Sequence, residues 1–188
     1  MNKDFILILG PQGSGKTTQA RKLARFLGYK FISSGRTLRK LSTEKNPIGL
    51  KLSEYWIKGE LVPDALMESI LFPMIEKKKA KGFVIDGYPR DVAQLKSLLS
   101  FLDLNQWAIS HVFYLHVGEE ESLKRLVDRR KKEQRQDESS DAIAKRFQLY
   151  HTETEPLLAE YEKMHRLEKI DGERTVEEIQ EDLRSRFK

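Results

Sequence analysis

The 188-residue chain contains no cysteine, which excludes disulfides and thiolate metal sites. Its four histidines, at 111, 116, 151 and 165, include no H-x3-H pair, so they read as ordinary surface or strand residues. No apolar run approaches the roughly 20 residues of a membrane span. The opening Met1-Asn2-Lys3-Asp4 lacks the basic-then-apolar form of an export signal. The expected address is therefore the cytoplasm, with no membrane partner. Internal repeats and low-complexity linkers are missing too, and 1–188 suits a single domain with its own core, expected to be a monomer.

Charge of one sign is also scarce, except in one place. The net charge is +5, and residues 124–135 (KRLVDRRKKEQR) hold seven basic and two acidic side chains, so the remainder is neutral. An excess this concentrated fits a compact polyphosphate as well as a nucleic-acid backbone. No aromatic residue interleaves with it to stack on bases, which argues against nucleic acid as a partner.

What the chain does have stands near its start. Gly10-Pro11-Gln12-Gly13-Ser14-Gly15-Lys16-Thr17 matches GxxxxGK[ST], the P-loop. Phe5-Ile6-Leu7-Ile8-Leu9 before it suits a strand buried on both faces. After it, Ala20, Leu23, Ala24 and Leu27 recur at helical spacing. Strand, glycine loop and helix start make a nest of backbone N–H groups at a positive helix end. The glycines let backbone wrap around phosphate oxygens, Lys16 adds a mobile charge, and the Thr17 hydroxyl can face Mg²⁺.

Further strand-like runs lie at 83–85 and 112–117, with weaker ones at 29–32 and 167–170, and helical patterns separate them. This alternation predicts an α/β, P-loop NTPase fold: a five-stranded parallel sheet with helices on both faces. Pro63-Asp64 reads as a helix start. Glu119-Glu120-Glu121 opens a helix expected to reach about Arg130. Asp171-Gly172 turns into a last helix with Val176, Ile179, Leu183 and Phe187 on its buried stripe. The polar stretch 131–141 reads as a loop.

The second informative segment is Gly82-Phe83-Val84-Ile85-Asp86-Gly87-Tyr88-Pro89-Arg90. It ends a buried strand in a carboxylate, which beside the P-loop can hold the water shell of Mg²⁺. With these segments aligned, nearly the whole chain resembles adenylate kinase in its short-lid form. The resemblance rests on GPQGSGKTTQ (10–19), ISSGRTLR (32–39), GELVPD (59–64), GFVIDGYPRDVAQ (82–94) and the arginines after 124. The P-loop is shared by many NTPases, whereas DGYPR followed by Gln94 is more specific to nucleoside monophosphate kinases.

The resemblance implies reversible, Mg²⁺-dependent transfer of the γ-phosphoryl group of ATP to AMP, giving two ADP. The nucleotides are then the only partners, and no zinc is expected. It also implies an acceptor-binding insert at about 33–62 and a short lid at about 130–138. Gly13, Ser14, Gly15, Lys16, Thr17 and Thr18 would bind ATP, together with Arg125, Arg129, Gly172 and Arg174. The acceptor would be held by Ser34, Arg39, Glu60, Leu61, Val62, Gly87, Tyr88, Pro89, Arg90 and Gln94. Lys16, Asp86, Arg90, Arg129 and the lid arginines Arg135 and Arg146 would act on the transferring group, the last two also touching AMP. Thr17 and, through water, Asp86 would face the metal. Gln94 goes with AMP in this family, where UMP/CMP kinases resemble it with Asn. A pyrimidine kinase is one alternative; a nucleotide-binding regulator without turnover is another. Three positions depart from the family pattern: Arg36 stands for the usual Asp, Thr17 for Gly, and Gln134 for a lid glycine.

Overall fold

Strand β1 (Asp4–Leu9) is flanked on both sides, by β3 and β4, and from Phe5 onward its side chains are buried. That explains its unbroken apolar run, since a central parallel strand has no wet face. The computed structural model describes residues 3–58, 60, 62–133 and 140–188. The expected contacts at Leu61, Gln134 and Arg135, and much of the expected lid, lie outside these residues.

The chain runs β1, α1 (Lys16–Leu27), β2 (Lys30–Ser33), α2 (Ser34–Ser42), α3 (Pro47–Lys58), α4 (Asp64–Lys77) and β3 (Gly82–Asp86). It continues with α5 (Val92–Leu104), β4 (Ala108–His116), α6 (Glu119–Glu133) and α7 (Ser140–Leu149). A π-helical turn (Tyr150–Thr154), α8 (Pro156–Lys163), β5 (Leu167–Asp171) and α9 (Val176–Ser185) complete it. The five strands are all parallel, in the order β2-β3-β1-β4-β5. Both weak strand candidates are thus strands, completing the expected sheet.

Alternation along β1 sorts its side chains between two cores. Phe5, Leu7 and Leu9 join Met67, Leu71 and Ile75 of α4, Leu95 and Leu98 of α5, and Leu157 and Tyr161 of α8. Ile6 and Ile8 face the other way, onto Ala20, Leu23 and Ala24 of α1 and Ile179 and Leu183 of α9. Burying each of the large aliphatic and phenylalanine side chains among these stabilises the fold by about 1.5–3 kcal/mol relative to exposure. A third, small cluster of Leu126, Ile143 and Phe147 joins α6 to α7.

Register aligns the carboxyl ends of the strands: Ile8 lies opposite Asp86, and Asp86 opposite Ser33. The loops after β1 and β3 and the start of α2 therefore meet at one edge, where open α/β sheets bind ligands. Two expectations shift. Lys131–Glu133 continue α6 and Ser140 already starts α7, because Lys and Glu are good helix formers. Val176 is exposed rather than on the buried stripe, since it opens α9 next to the Thr175 cap, while Ile179 and Leu183 are buried.

Candidate active site

The P-loop holds three glycines at positive φ, Gly10, Gly13 and Gly15. Gly15, at φ 84°, caps α1 and accepts at its carbonyl from the N–H groups of Thr18 and Gln19, at 2.9 and 3.1 Å. Gly13, at φ 83°, lies so close to α6 that a Cβ there would stand 2.5 Å from the Ser122 carbonyl oxygen. A side chain at Gly13 would therefore push α6 away from the loop. Lys16 folds back over this loop, its Nζ donating to the Pro11 carbonyl at 2.9 Å. Burial lowers its pKa to about 8; Arg90 and Arg129 push the same way, and Asp86 offsets them in part. The side chain still borders the cleft, so an incoming anion can restore the charge.

Asp86 is the hub of the site. It is 3% exposed, and its Oδ2 accepts from the Thr17 hydroxyl at 2.6 Å and the Ser33 hydroxyl at 2.9 Å. Its Oδ1 is buried with no donor among the described residues. A buried carboxylate oxygen beside a P-loop threonine suits the water shell of a hard divalent cation. The described residues form no cluster of three or more His, Cys, Asp or Glu side chains. Such a cation would therefore rest mainly on water and phosphate oxygens, as Mg²⁺ prefers.

From this hub a cleft of about 2040 Å³, counting its open mouth, spreads between the P-loop, α2 and α6. Its enclosed part, about 840 Å³, lies near the upper end of the roughly 300–1,000 Å³ of a small-ligand pocket. Lys16, Arg39, Arg90, Arg125, Arg129 and Arg146 all border it, as do Gly13, Gly15, Thr17, Thr18, Glu60 and Gly87. The basic segment after 124 contributes through Arg125 and Arg129, one helical turn apart on α6. Arg125 is oriented by Glu121, at 2.7 Å, and by the Gly172 carbonyl, at 2.9 Å. Burial, and after it neighbouring Arg146, pulls the Arg90 pKa below the usual arginine value. Its Nε donates to the Gly87 carbonyl at 3.0 Å.

Other expected residues sit behind the lining. Ser14 and Ser34 are buried, and the Ser34 hydroxyl donates to the Gly87 carbonyl. Val62, Tyr88 and Gln94 are buried as well, while Pro89 borders a smaller apolar cavity that shares Lys16, Arg90 and Arg146 with the cleft. Gln94 Oε1 accepts from the Arg90 N–H at 2.9 Å, and its Nε2 donates to Asp64 Oδ1 at 2.9 Å. Arg174 does not border the cleft; its guanidinium pairs with Asp182 at 2.7 Å. Across the cleft, Lys145 of α7 meets Glu60, just before α4, at 3.1 Å.

A glycine cradle at a helix start, a buried carboxylate tied to its threonine, and arginines converging from α2, α6, α7 and the loop after β3 can align two phosphorylated ligands. The comparisons agree with this geometry. The family model described as adenylate kinase matches residues 8–166. The chain belongs to the adenylate kinase family. It is 36% identical over 180 residues to the adenylate kinase of Xanthomonas oryzae pv. oryzae, covering 95% of this chain and 96% of that protein. It is 38% identical over 175 residues to that of Bifidobacterium longum, covering 93% and 94%.

Three residues of this adenylate kinase family member escaped the sequence reading. Ser33 caps α2 and bonds Asp86, and only the register of β2 against β3 reveals it. Arg21 borders the cleft one turn after Thr17, a spacing that could have found it. Asp64, read as a helix start, also holds Gln94.

Proposed function

We propose that this chain catalyses reversible transfer of the γ-phosphoryl group of ATP to AMP, giving two ADP. The observation that carries the reading is one continuous cleft joining the P-loop and Asp86 to the arginines of the acceptor side. Among the described residues, nine cationic side chains border it against Glu60 and Asp86. That excess suits two nucleotides of roughly −4 and −2 charge.

The acceptor phosphate needs no general base, since near neutral pH it is already largely dianionic. One of its oxygens attacks the γ-phosphorus, the bond from that phosphorus to the β,γ-bridging oxygen breaks, and ADP leaves with the electron pair. The work left to the protein is alignment and charge neutralisation. Lys16 is assigned to the β- and γ-phosphates, Arg125 and Arg129 to the donor, and Arg39 and Arg90 to the acceptor phosphate. Arg146 is assigned to the group in flight, and Arg135 shares that assignment by resemblance alone. Arginine suits these roles because its fork grips phosphate bidentately and never loses its charge. Thr17 and, through water, Asp86 would hold Mg²⁺, whose positive charge would offset the charge developing on the phosphates.

Gln94 is assigned to the acceptor base, with Ser34 and the backbone around Glu60 and Val62 beside it. Mg²⁺ as the metal, ATP, AMP and ADP as the partners, a monomer and a cytoplasmic address complete the reading. Among the described residues no helix is long and apolar enough to cross a membrane. The test is a coupled assay with MgATP and each of AMP, CMP, UMP and GMP. AMP is expected to lead CMP and UMP by at least about a hundredfold in kcat/KM. Comparable values for CMP and AMP would replace the assignment with a pyrimidine kinase.

A further inference from the structure

We infer that Asp64 fixes the direction in which the Gln94 carboxamide reads the acceptor base, so that the enzyme separates a 6-amino purine from a 6-oxo purine. This rests on the assignment of Gln94 to the base and goes one residue beyond it. Gln94 is 1% exposed, and its amide is held from both ends by Arg90 N–H and Asp64 Oδ1, each at 2.9 Å. Its own backbone N–H donates at 2.8 Å to Oδ1 of Asp91, the cap of α5, so the backbone that carries the side chain is fixed as well.

Rotating the amide by half a turn would set its NH₂ against the Arg90 N–H and its carbonyl oxygen against the Asp64 carboxylate. Donor would oppose donor and acceptor oppose acceptor, which a buried site penalises on both sides. A carboxamide has two N–H donors and two acceptor lone pairs. One of each is engaged within the protein, and one of each remains, in a fixed order. Adenine presents an amino donor beside a ring-nitrogen acceptor; a 6-oxo purine presents a carbonyl acceptor beside an N–H donor. The locked amide matches the first order and opposes the second.

Asp64 is the part of the lock that a side chain supplies. As a carboxylate it can only accept, whereas an asparagine there could accept or donate and would tolerate either orientation. It opens α4, thirty residues before Gln94 on α5, so the fold alone brings the two together.

The test measures kcat/KM for AMP and for inosine monophosphate, with MgATP as donor, in the wild type and in Asp64→Asn. The wild type should prefer AMP by about a hundredfold or more, and Asp64→Asn should narrow that ratio by about tenfold. General loosening of the site would depress both substrates and leave the ratio unchanged. Should Asp64→Asn not fold, the wild type supplies the measurement: the two Gln94 side-chain N–H signals in a ¹H–¹⁵N spectrum should be separate and slow to exchange with solvent. Signals that exchange as freely as those of an exposed amide overturn the inference. A wild type that favours AMP, with a ratio unmoved by Asp64→Asn, overturns it alone. A wild type that does not turn over AMP overturns the functional assignment, and this inference with it.

Discussion

The two ends of the cleft are built from different materials. At the end assigned to the donor the phosphate cradle is mainly backbone: a glycine loop at the start of α1, held at Gly13 against the Ser122 carbonyl. At the end assigned to the acceptor the central group is a side chain, Gln94 of α5, joined at 2.9 Å to the Asp64 carboxylate of α4 and to the Arg90 backbone N–H after β3. The difference follows from the ligands. A polyphosphate is alike on every nucleoside triphosphate, and backbone N–H groups serve it without regard to base. A base must be told from its relatives, and that needs directional side-chain groups whose mismatch leaves something buried and unpaired.

The sharpest way to break this contrast is at Lys16, the side-chain charge that the P-loop itself adds to its backbone. Lys16→Met should lower phosphoryl transfer by about a thousandfold with unchanged circular dichroism. A variant keeping a tenth of wild-type turnover would remove the loop from the reaction. Asp86→Asn should cost about a hundredfold in kcat and raise the Mg²⁺ concentration needed for half-maximal rate. A normal Mg²⁺ dependence would reduce Asp86 to a tie between Thr17 and Ser33. At the other end, Gln94→Ala should erase most of an AMP preference of about a hundredfold over CMP, and do so in kcat/KM ratios rather than in absolute rate.

The acid–base behaviour separates the ends further. Ligand-free, Lys16 gives up its proton near pH 8, whereas unfolded it keeps the proton to about 10.5. Between those values the unfolded chain binds more protons, so this group makes the fold more stable as pH rises from 8 towards 10.5. Bound phosphate favours the charged form. ATP affinity should therefore fall above pH 8, by up to about tenfold per unit, and titration calorimetry from pH 7 to 9.5 would detect it. A flat profile in the wild type would put the lysine's charge outside ATP binding. The smallest effect is expected at Arg36, which is exposed on the rim of the cleft. Arg36→Ala should raise the acceptor KM about threefold with little change in kcat, as befits a solvated charge; an unaltered KM would leave Arg36 a bystander.

The same contrast explains how much of the molecule the sequence discloses. The donor end is contiguous from Gly10 to Thr17, and its flanking periodicities already mark β1 and α1. Buried strands read clearly because burial on both faces forces apolar runs, as at Phe83–Ile85. β5 is harder to see because Glu168, Lys169 and the other residues of its five-residue span are mostly exposed or half-buried, with only Ile170 in the core. The acceptor end could be anticipated at Arg39, Arg90 and Gln94 by resemblance alone. Ser33 and Asp64 carry no local signal of their roles, since these depend on strand register and on two helices meeting. Arg174 also pairs with Asp182, on the helix that follows it. Sequence spacing does not record such pairings.

Lys145 and Glu60 join α7, which carries Arg146, to the segment before α4, at 3.1 Å and with roughly two-fifths of each side chain exposed. An ion pair so open to water contributes at most about 1 kcal/mol. A ligand that separates the pair from one side relieves the second ligand of the same cost, so through this contact each substrate can change the affinity of the other by no more than about fivefold, and equally in both directions. Dissolved salt weakens the pair as the screening length shortens. Ionic strength is thus a control on how far the two substrates sense one another, in addition to its effect on their phosphates.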